Sequence, residues 1–190
     1  MRLYFLKPFE CDQKYCFVRG YFMHSTKLMR GGAVLADMKE YNDEFVEYKL
    51  DEEKGGLLVG DFITNYNSHL LLTKACAEAI VGGFKTGPIE LVPARVKNEK
   101  GRVHVKDVIV LHPIEALDCL DWEHSDIGGD DSYRLVRIFG KWKLKASSIS
   151  IELDLMRVKG IPYYIFSERL VDFIKQRGFT NFPFDDVHLS

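Results

Sequence analysis

Two hydrophobic spacings alternate along this chain. A period of two marks strands, because successive side chains of an extended chain point to opposite faces. Aromatic and β-branched content predicts strands over Arg2 to Leu6, Lys14 to Tyr21 and Glu44 to Leu50. The clearest hairpin joins Ile89–Val96 to Arg102–Leu111 through Asn98-Glu99-Lys100-Gly101. In its second arm Val103 and Val105 share one face with Asp107 next in line, and His104, Lys106 and Val108 share the other. The arm then becomes wholly apolar at Val108-Ile109-Val110-Leu111, as where a strand enters a core. Lys141-Trp142-Lys143-Leu144-Lys145 sets three lysines against Trp142 and Leu144, and Ile149, Ile151, Leu153 and Leu155 keep the same period.

Helical spacing occurs twice. One helix is predicted from Thr73 through Ala75, Cys76, Ala79 and Ile80 to Gly82-Gly83, the other from Ser167 through Leu170, Val171 and Ile174 to Gly178. Each follows an apolar run, opens with a hydroxyl residue suited to capping exposed N–H groups, and closes with Gly-Phe before a proline-containing strand. The echo predicts an internal strand–helix–strand duplication, although caps and glycine stops arrived at independently would also produce it. Gly31-Gly32, Gly55-Gly56, Gly82-Gly83 and Gly128-Gly129 punctuate the segments. The expected fold is α+β, a mixed and mainly antiparallel sheet with a few short helices. Residues 1–56 form a β-rich segment, read as part of the same domain as the α+β region 57–190.

At 190 residues and 46% apolar, with 13 Phe, 9 Tyr and 2 Trp, the chain can bury a single-domain core and is not expected to be disordered. A net charge of −2 gives no global field for nucleic acid. The first residues, Arg2 to Pro8, are too short an apolar stretch for a secretory leader, and no run approaches a membrane span. Cys11, Cys16, Cys76 and Cys119 lack paired metal spacing and read as reduced thiols of a cytoplasmic protein.

Candidate chemistry is sparse. Neither a Gly-rich Lys-Ser/Thr loop nor a Gly-x-Gly-x-x-Gly turn is present, and His24, His69, His104, His112, His124 and His188 are scattered, so no metal or cofactor is expected. The nearest approach to a catalytic cluster is Cys119, His124 and Asp126, a thiolate beside an imidazole on one reading and a buried thiol followed by a polar loop on the other. Ser167 sits on a strand-to-helix turn without the flanking glycines of a nucleophile elbow, and capping accounts for it. The lysines around Trp142 point away from it, which suits a solvated strand over a buried ring better than a nucleic-acid surface.

Charge falls in blocks. Residues 1–36 carry net +4, residues 37–53 net −6, and Glu115 to Asp131 hold seven acids with no lysine or arginine. Arg134, Arg137, Lys141, Lys143 and Lys145 follow without an acid. Such blocks either pair with each other on adjacent strands or present an acidic face to a basic partner.

Three stretches resemble the bacterial polymorphic-toxin immunity family of the myxobacterial type. They are Tyr164-Ile165-Phe166-Ser167-Glu168-Arg169-Leu170 continuing to Gly178-Phe179-Thr180, the central Leu117-Asp118-Cys119-Leu120-Asp121-Trp122-Glu123-His124-Ser125, and the Leu70-Leu71-Leu72-Thr73 helix start followed by a strand with Pro93. The likeness runs from about Gly60 to the end and departs from the family pattern at His112-Pro113. It implies a product that binds and neutralises a toxin encoded by a neighbouring gene, often a nuclease, with no catalytic residues of its own. On that reading Asp121, Glu123, Asp126, Asp130 and Asp131 are the contact or steering residues. Trp122 is an aromatic anchor or, ranked ahead of that, a core residue. The rival readings are an enzyme whose site around Cys119, His112 and His124 forms only in the fold, and a secretion-system accessory protein. Homo-oligomers are compatible with all three.

Overall fold

The computed structural model describes residues 2–7, 10, 12–20, 46–129, 136–150 and 152–190. Its larger sheet has six strands in the order β4-β2-β3-β6-β7-β5, formed by β2 (Phe17–Gly20), β3 (Val46–Leu50), β4 (Thr64–Asn65), β5 (Leu71–Thr73), β6 (Ile89–Lys97) and β7 (Val103–Pro113). A five-stranded sheet, β14-β1-β13-β12-β8, contains β1 (Leu3–Leu6), β8 (Ala116–Leu117), β12 (Leu155–Val158), β13 (Tyr164–Ser167) and β14 (Phe184–Asp186). Two short pairs complete the topology: β9 (Ile127–Gly128) with β10 (Arg137–Ile138), and β11 (Lys143–Leu144) with β15 (His188–Leu189). Most pairings are antiparallel, the exceptions being β2–β4, β3–β6, β8–β12 and β11–β15. With the two helices α1 (Lys74–Gly83) and α2 (Glu168–Gln176), this is an α+β fold. Strands from the first fifty residues lie in both sheets, β1 between β13 and β14, β3 beside β6, and β2 between β3 and β4.

Alternation along the strands divides the interior into three cores. Leu72 and Leu111 of the larger sheet, Leu70 just before β5, and Leu6, Leu155, Tyr164 and Phe166 of the smaller sheet meet Cys76, Ala77 and Ile80 of α1 and Leu170, Val171 and Ile174 of α2 in the central core. The intervening residues face away. Leu71, Val108 and Val110 join Tyr48 and Val96 in a second core, and Leu3, Met156 and Ile165 join Leu120, Trp142 and Leu144 in a third. Both faces of both sheets are therefore apolar over part of their area, which explains why Val108–Leu111 reads as a continuous apolar run.

The predicted hairpin is present. Asn98 Oδ1 accepts the N–H groups of Lys100 and Arg102, Gly101 sits at φ +76°, and the arms pair with irregularities around Val96. Trp142 and Leu144 are buried while Lys141 and Lys145 are exposed, as their alternation requires. A strand through Ile149, Leu153 and Leu155 is not formed: a single 3-10 turn covers Ala146–Ser148, and strand geometry begins only at Leu155. Ile151 lies outside the described residues.

The two strand–helix–strand units share one topology. β5 and β6 both pair antiparallel with β7, and β13 and β14 both pair antiparallel with β1, so each unit straddles one inserted strand. Before each unit a short segment pairs with its first strand, Phe62 opposite Leu72 and Leu155 opposite Phe166. One aspartate in each such segment fastens the two units together. Asp61 accepts the Thr73 hydroxyl at 2.9 Å from its own unit and the Thr180 N–H at 2.9 Å from beyond the other unit's helix. Asp154 accepts the Ser167 hydroxyl at 2.7 Å and the Lys85 N–H at 2.9 Å in the same crossed manner.

The helix ends differ between the units. Ser167 Oγ accepts the Leu170 N–H, whereas the Thr73 hydroxyl makes no capping bond and goes to Asp61 instead. Gly178 closes α2 at φ +72°, with Gly178 N–H on Lys175 O and Phe179 N–H on Ile174 O, the paired bonds of a glycine-terminated helix. Gly82 and Gly83 instead form the last residues of α1, whose end turns into extended Phe84.

Candidate functional site

The aspartate-rich stretch after β8 runs alongside the lysine stretch before the 3-10 turn. Asp121 N–H bonds Lys143 O at 3.0 Å, Lys145 N–H bonds Cys119 O at 2.8 Å, and Asp126 N–H bonds Lys141 O at 2.7 Å. Ser125 Oγ accepts the Lys143 N–H at 2.8 Å, and Asp126 Oδ2 accepts the Lys141 N–H at 3.2 Å. Short polar side chains thus hold the two segments together where regular pairing is confined to β9–β10 and β11.

Each residue expected at a partner surface has a distinct placement. Asp121 is only 3% exposed, and its carboxylate faces inward, accepting the N–H groups of Glu123 and His124 and bonding His124 Nδ1 at 2.9 Å. Bonds from Ser190 and then His124 hold its carboxyl down to about 2. A surface-contact role for Asp121 is therefore replaced by a structural one: it shapes the turn that displays its neighbours. Glu123 and Asp126 are exposed, and Trp122 is half-buried against the third core. Asp130 and Asp131 lie outside the described residues.

Sequence reasoning passed over Phe139. It packs close to Gly128, where an added Cβ would come within 2.6 Å of its ring, and it is 74% exposed, the most exposed large apolar side chain described. The signal was available in period two, since Ile138 packs against the third core and places its neighbour outward. Phe139 N–H bonds Asp126 O at 2.8 Å, which ties the two backbones together. Arg137, Lys141 and Lys145 of the same paired stretches are exposed as well, so the stretches do not present acids alone.

Both charge readings occur in the fold. Glu47 on β3 accepts Arg95 Nε at 2.9 Å and pairs with Lys97 at 2.7 Å on β6, so part of the first acidic block is neutralised across strands. Asp118 pairs with Lys159 at 3.1 Å.

The residues of the catalytic alternative have distinct placements. Cys119 is buried in the third core, where burial, with Asp118 adding to it, pushes its thiol up to about 11, opposite to an activated thiolate. His124 is exposed and bonded to Asp121. His112 is buried near His69, whose Nδ1 shares a 2.5 Å hydrogen bond with the buried Tyr48 hydroxyl. Burial, then the nearby His112, lowers His69 to about 4. The described cysteines Cys16, Cys76 and Cys119 are all buried free thiols, and Cys11 and His24 lie outside the described residues. Among the described residues no group of three or more His, Cys, Asp or Glu side chains is placed to hold a metal, and no helix is long and apolar enough to cross a membrane.

Compared with known proteins, the sequence matches no family model and no curated protein.

Proposed function

We propose that this protein binds and neutralises a cognate bacterial toxin by stoichiometric association, acting in the cytoplasm of the cell that makes both and without turnover. The observation that carries the reading is Phe139, a large exposed ring whose backbone N–H bonds Asp126 O, on a hydrogen-bonded platform that also carries the exposed Glu123 and Asp126. Exposed aromatics on a preorganised surface concentrate binding energy, and charges around them select the partner and speed its approach. The sequence resemblance supplies the class of partner. A nuclease, whose phosphate-binding surface is basic, fits the exposed carboxylates.

The test is the affinity of the purified chain for the product of each adjacent gene at two salt concentrations. Tight binding that weakens with salt, together with loss of roughly tenfold or more in Phe139→Ser at unchanged melting temperature, supports the proposal. Reversal of the exposed Glu123 to lysine is expected to slow association while leaving dissociation nearly unchanged. If no neighbouring product binds, toxin neutralisation is wrong. If one binds and Phe139→Ser has no effect, the assigned face is wrong.

A further inference from the structure

Three consecutive apolar side chains stand in solvent in the connection between β3 and β4. Leu57 is 63% exposed, Leu58 57% and Val59 38%. Single exposed leucines are ordinary, whereas a contiguous run of them on a fixed backbone marks a contact surface. Here the backbone is held at several points. Leu58 N–H donates to Lys14 O at 3.2 Å, Leu58 O accepts the Cys16 N–H at 2.7 Å, and Gly56 N–H donates to Tyr15 O at 2.8 Å. Leu57 O is bonded to His104 Nε2 of β7 at 3.1 Å. Gly55 and Gly56 press closely on the residues that lead into β2: an added Cβ would come within 2.5 Å of Phe17 N and 2.3 Å of Lys14 O, respectively. At the other end Gly60 abuts Asn181. The side chains are thus presented on a ridge clamped at both ends, which lowers the ordering cost of binding.

The elements around the ridge carry both charges. In the turn that leads into it Glu52 and Glu53 are exposed, while Lys54 is drawn onto the rings of Phe17 and Tyr66, 4.2 Å from each centroid. At the start of β7, Arg102 and Lys106 are exposed two residues before and after His104. An anionic bilayer or a nucleic acid would meet Glu52 and Glu53, and a basic surface would meet Arg102 and Lys106. An apolar centre bordered by both signs instead complements a copy of itself. A two-fold axis through the leucines sets apolar side chains against one another and lets the acidic turn of each copy face the cations of the other.

We propose that the Leu57–Val59 ridge is the contact surface for a second copy of this chain, in a two-fold symmetric dimer centred on Leu57 and Leu58. The ridge supplies only the centre of the roughly 800 Å² per partner that a stable interface takes, so association is weak, with Kd on the order of 10–100 μM. The proposal is independent of toxin binding through Phe139.

Sedimentation velocity of the full chain between about 5 μM and about 1 mM tests it. The expected result is a shift from monomer to dimer over that range, weakened at least about tenfold in Leu57→Ser and in Leu58→Ser at unchanged melting temperature, and unaffected in Phe139→Ser. Because the axis brings each Leu58 near its copy, Leu58→Cys with oxidised glutathione as electron acceptor is expected to give a disulfide-linked dimer. The wild-type chain, whose described cysteines are buried, and a Phe139→Cys variant are expected not to. A chain still monomeric at about 1 mM, a dimer untouched by both serine variants, or one lost in Phe139→Ser would overturn the proposal. So would a monomer whose affinity for a neighbouring gene's product falls in Leu58→Ser, which would assign the ridge to that partner instead.

Discussion

Asp154→Asn is expected to destabilise the fold more than Asp61→Asn, although the two aspartates hold matching positions. Asp61 receives only groups that tolerate a carboxamide. With Asn Oδ1 on the Thr180 N–H, the amide can face the Thr73 hydroxyl, which turns to accept. The loss is then the difference between charged and neutral acceptors, about 1 kcal/mol. Asp154 is 4% exposed and receives Ser167 Oγ and Arg169 Nε on one oxygen, and Lys85 N–H and Arg169 Nη2 on the other. Whichever way the amide points, it confronts an Arg169 donor. Arg169 is 65% exposed and can turn to water, so only the discounted ion pair, roughly 1 kcal/mol, is added to the weakened Lys85 and Ser167 bonds, for a total of about 2–3 kcal/mol. In urea melts with a slope of about 2 kcal/mol/M, the midpoints should differ by roughly 0.5–1 M, Asp154→Asn being lower. A double-mutant cycle with Arg169→Met should return a coupling of about 1 kcal/mol at Asp154. Equal midpoints, or a lower one for Asp61→Asn, would refute the assignment of Arg169 as the distinguishing partner. The folded-state pKa of Asp154 is depressed, chiefly by Arg169 and Ser167 overcoming burial, so this stabilisation is present above about pH 4 and lost as pH falls through the lower folded value.

His69 predicts a second acid dependence of a different kind. Its pKa of about 4 in the folded chain lies below the usual 6.5, so the unfolded chain binds more protons between those values and stability should fall as pH drops through that window, by up to about 3 kcal/mol. A His69→Gln variant is expected to flatten that part of the stability-versus-pH curve; an unchanged slope would remove His69 as its source. Gly60→Ala should cost more than 1 kcal/mol in thermal or urea unfolding, because its Cβ would come within 2.6 Å of Asn181 Cβ and 3.0 Å of Phe62 O. Tolerance of alanine there would show that the Asn181 side chain is loosely held.

Much of the scaffold was legible in the chain. Hairpin, helix placement and mixed sheets follow from short-range rules: period two against a helical period, an Asn–Gly turn, hydroxyl and glycine ends. The echo of Leu-Leu-Thr and Ile-Phe-Ser before two Gly-Phe endings marked the units whose matching topology the fold displays. Only the tertiary structure decided what their polar residues do. Thr73 and Ser167 look alike as helix starts and both donate to an aspartate upstream, yet only Ser167 also caps its helix. Asp121 and Asp126 look alike as members of an acidic block, yet one is turned inward while the other is exposed. The reason is physical: backbone periodicity is set by neighbours in sequence, whereas burial and the fate of a charge are set by neighbours in space, which the crossing of the two units determines.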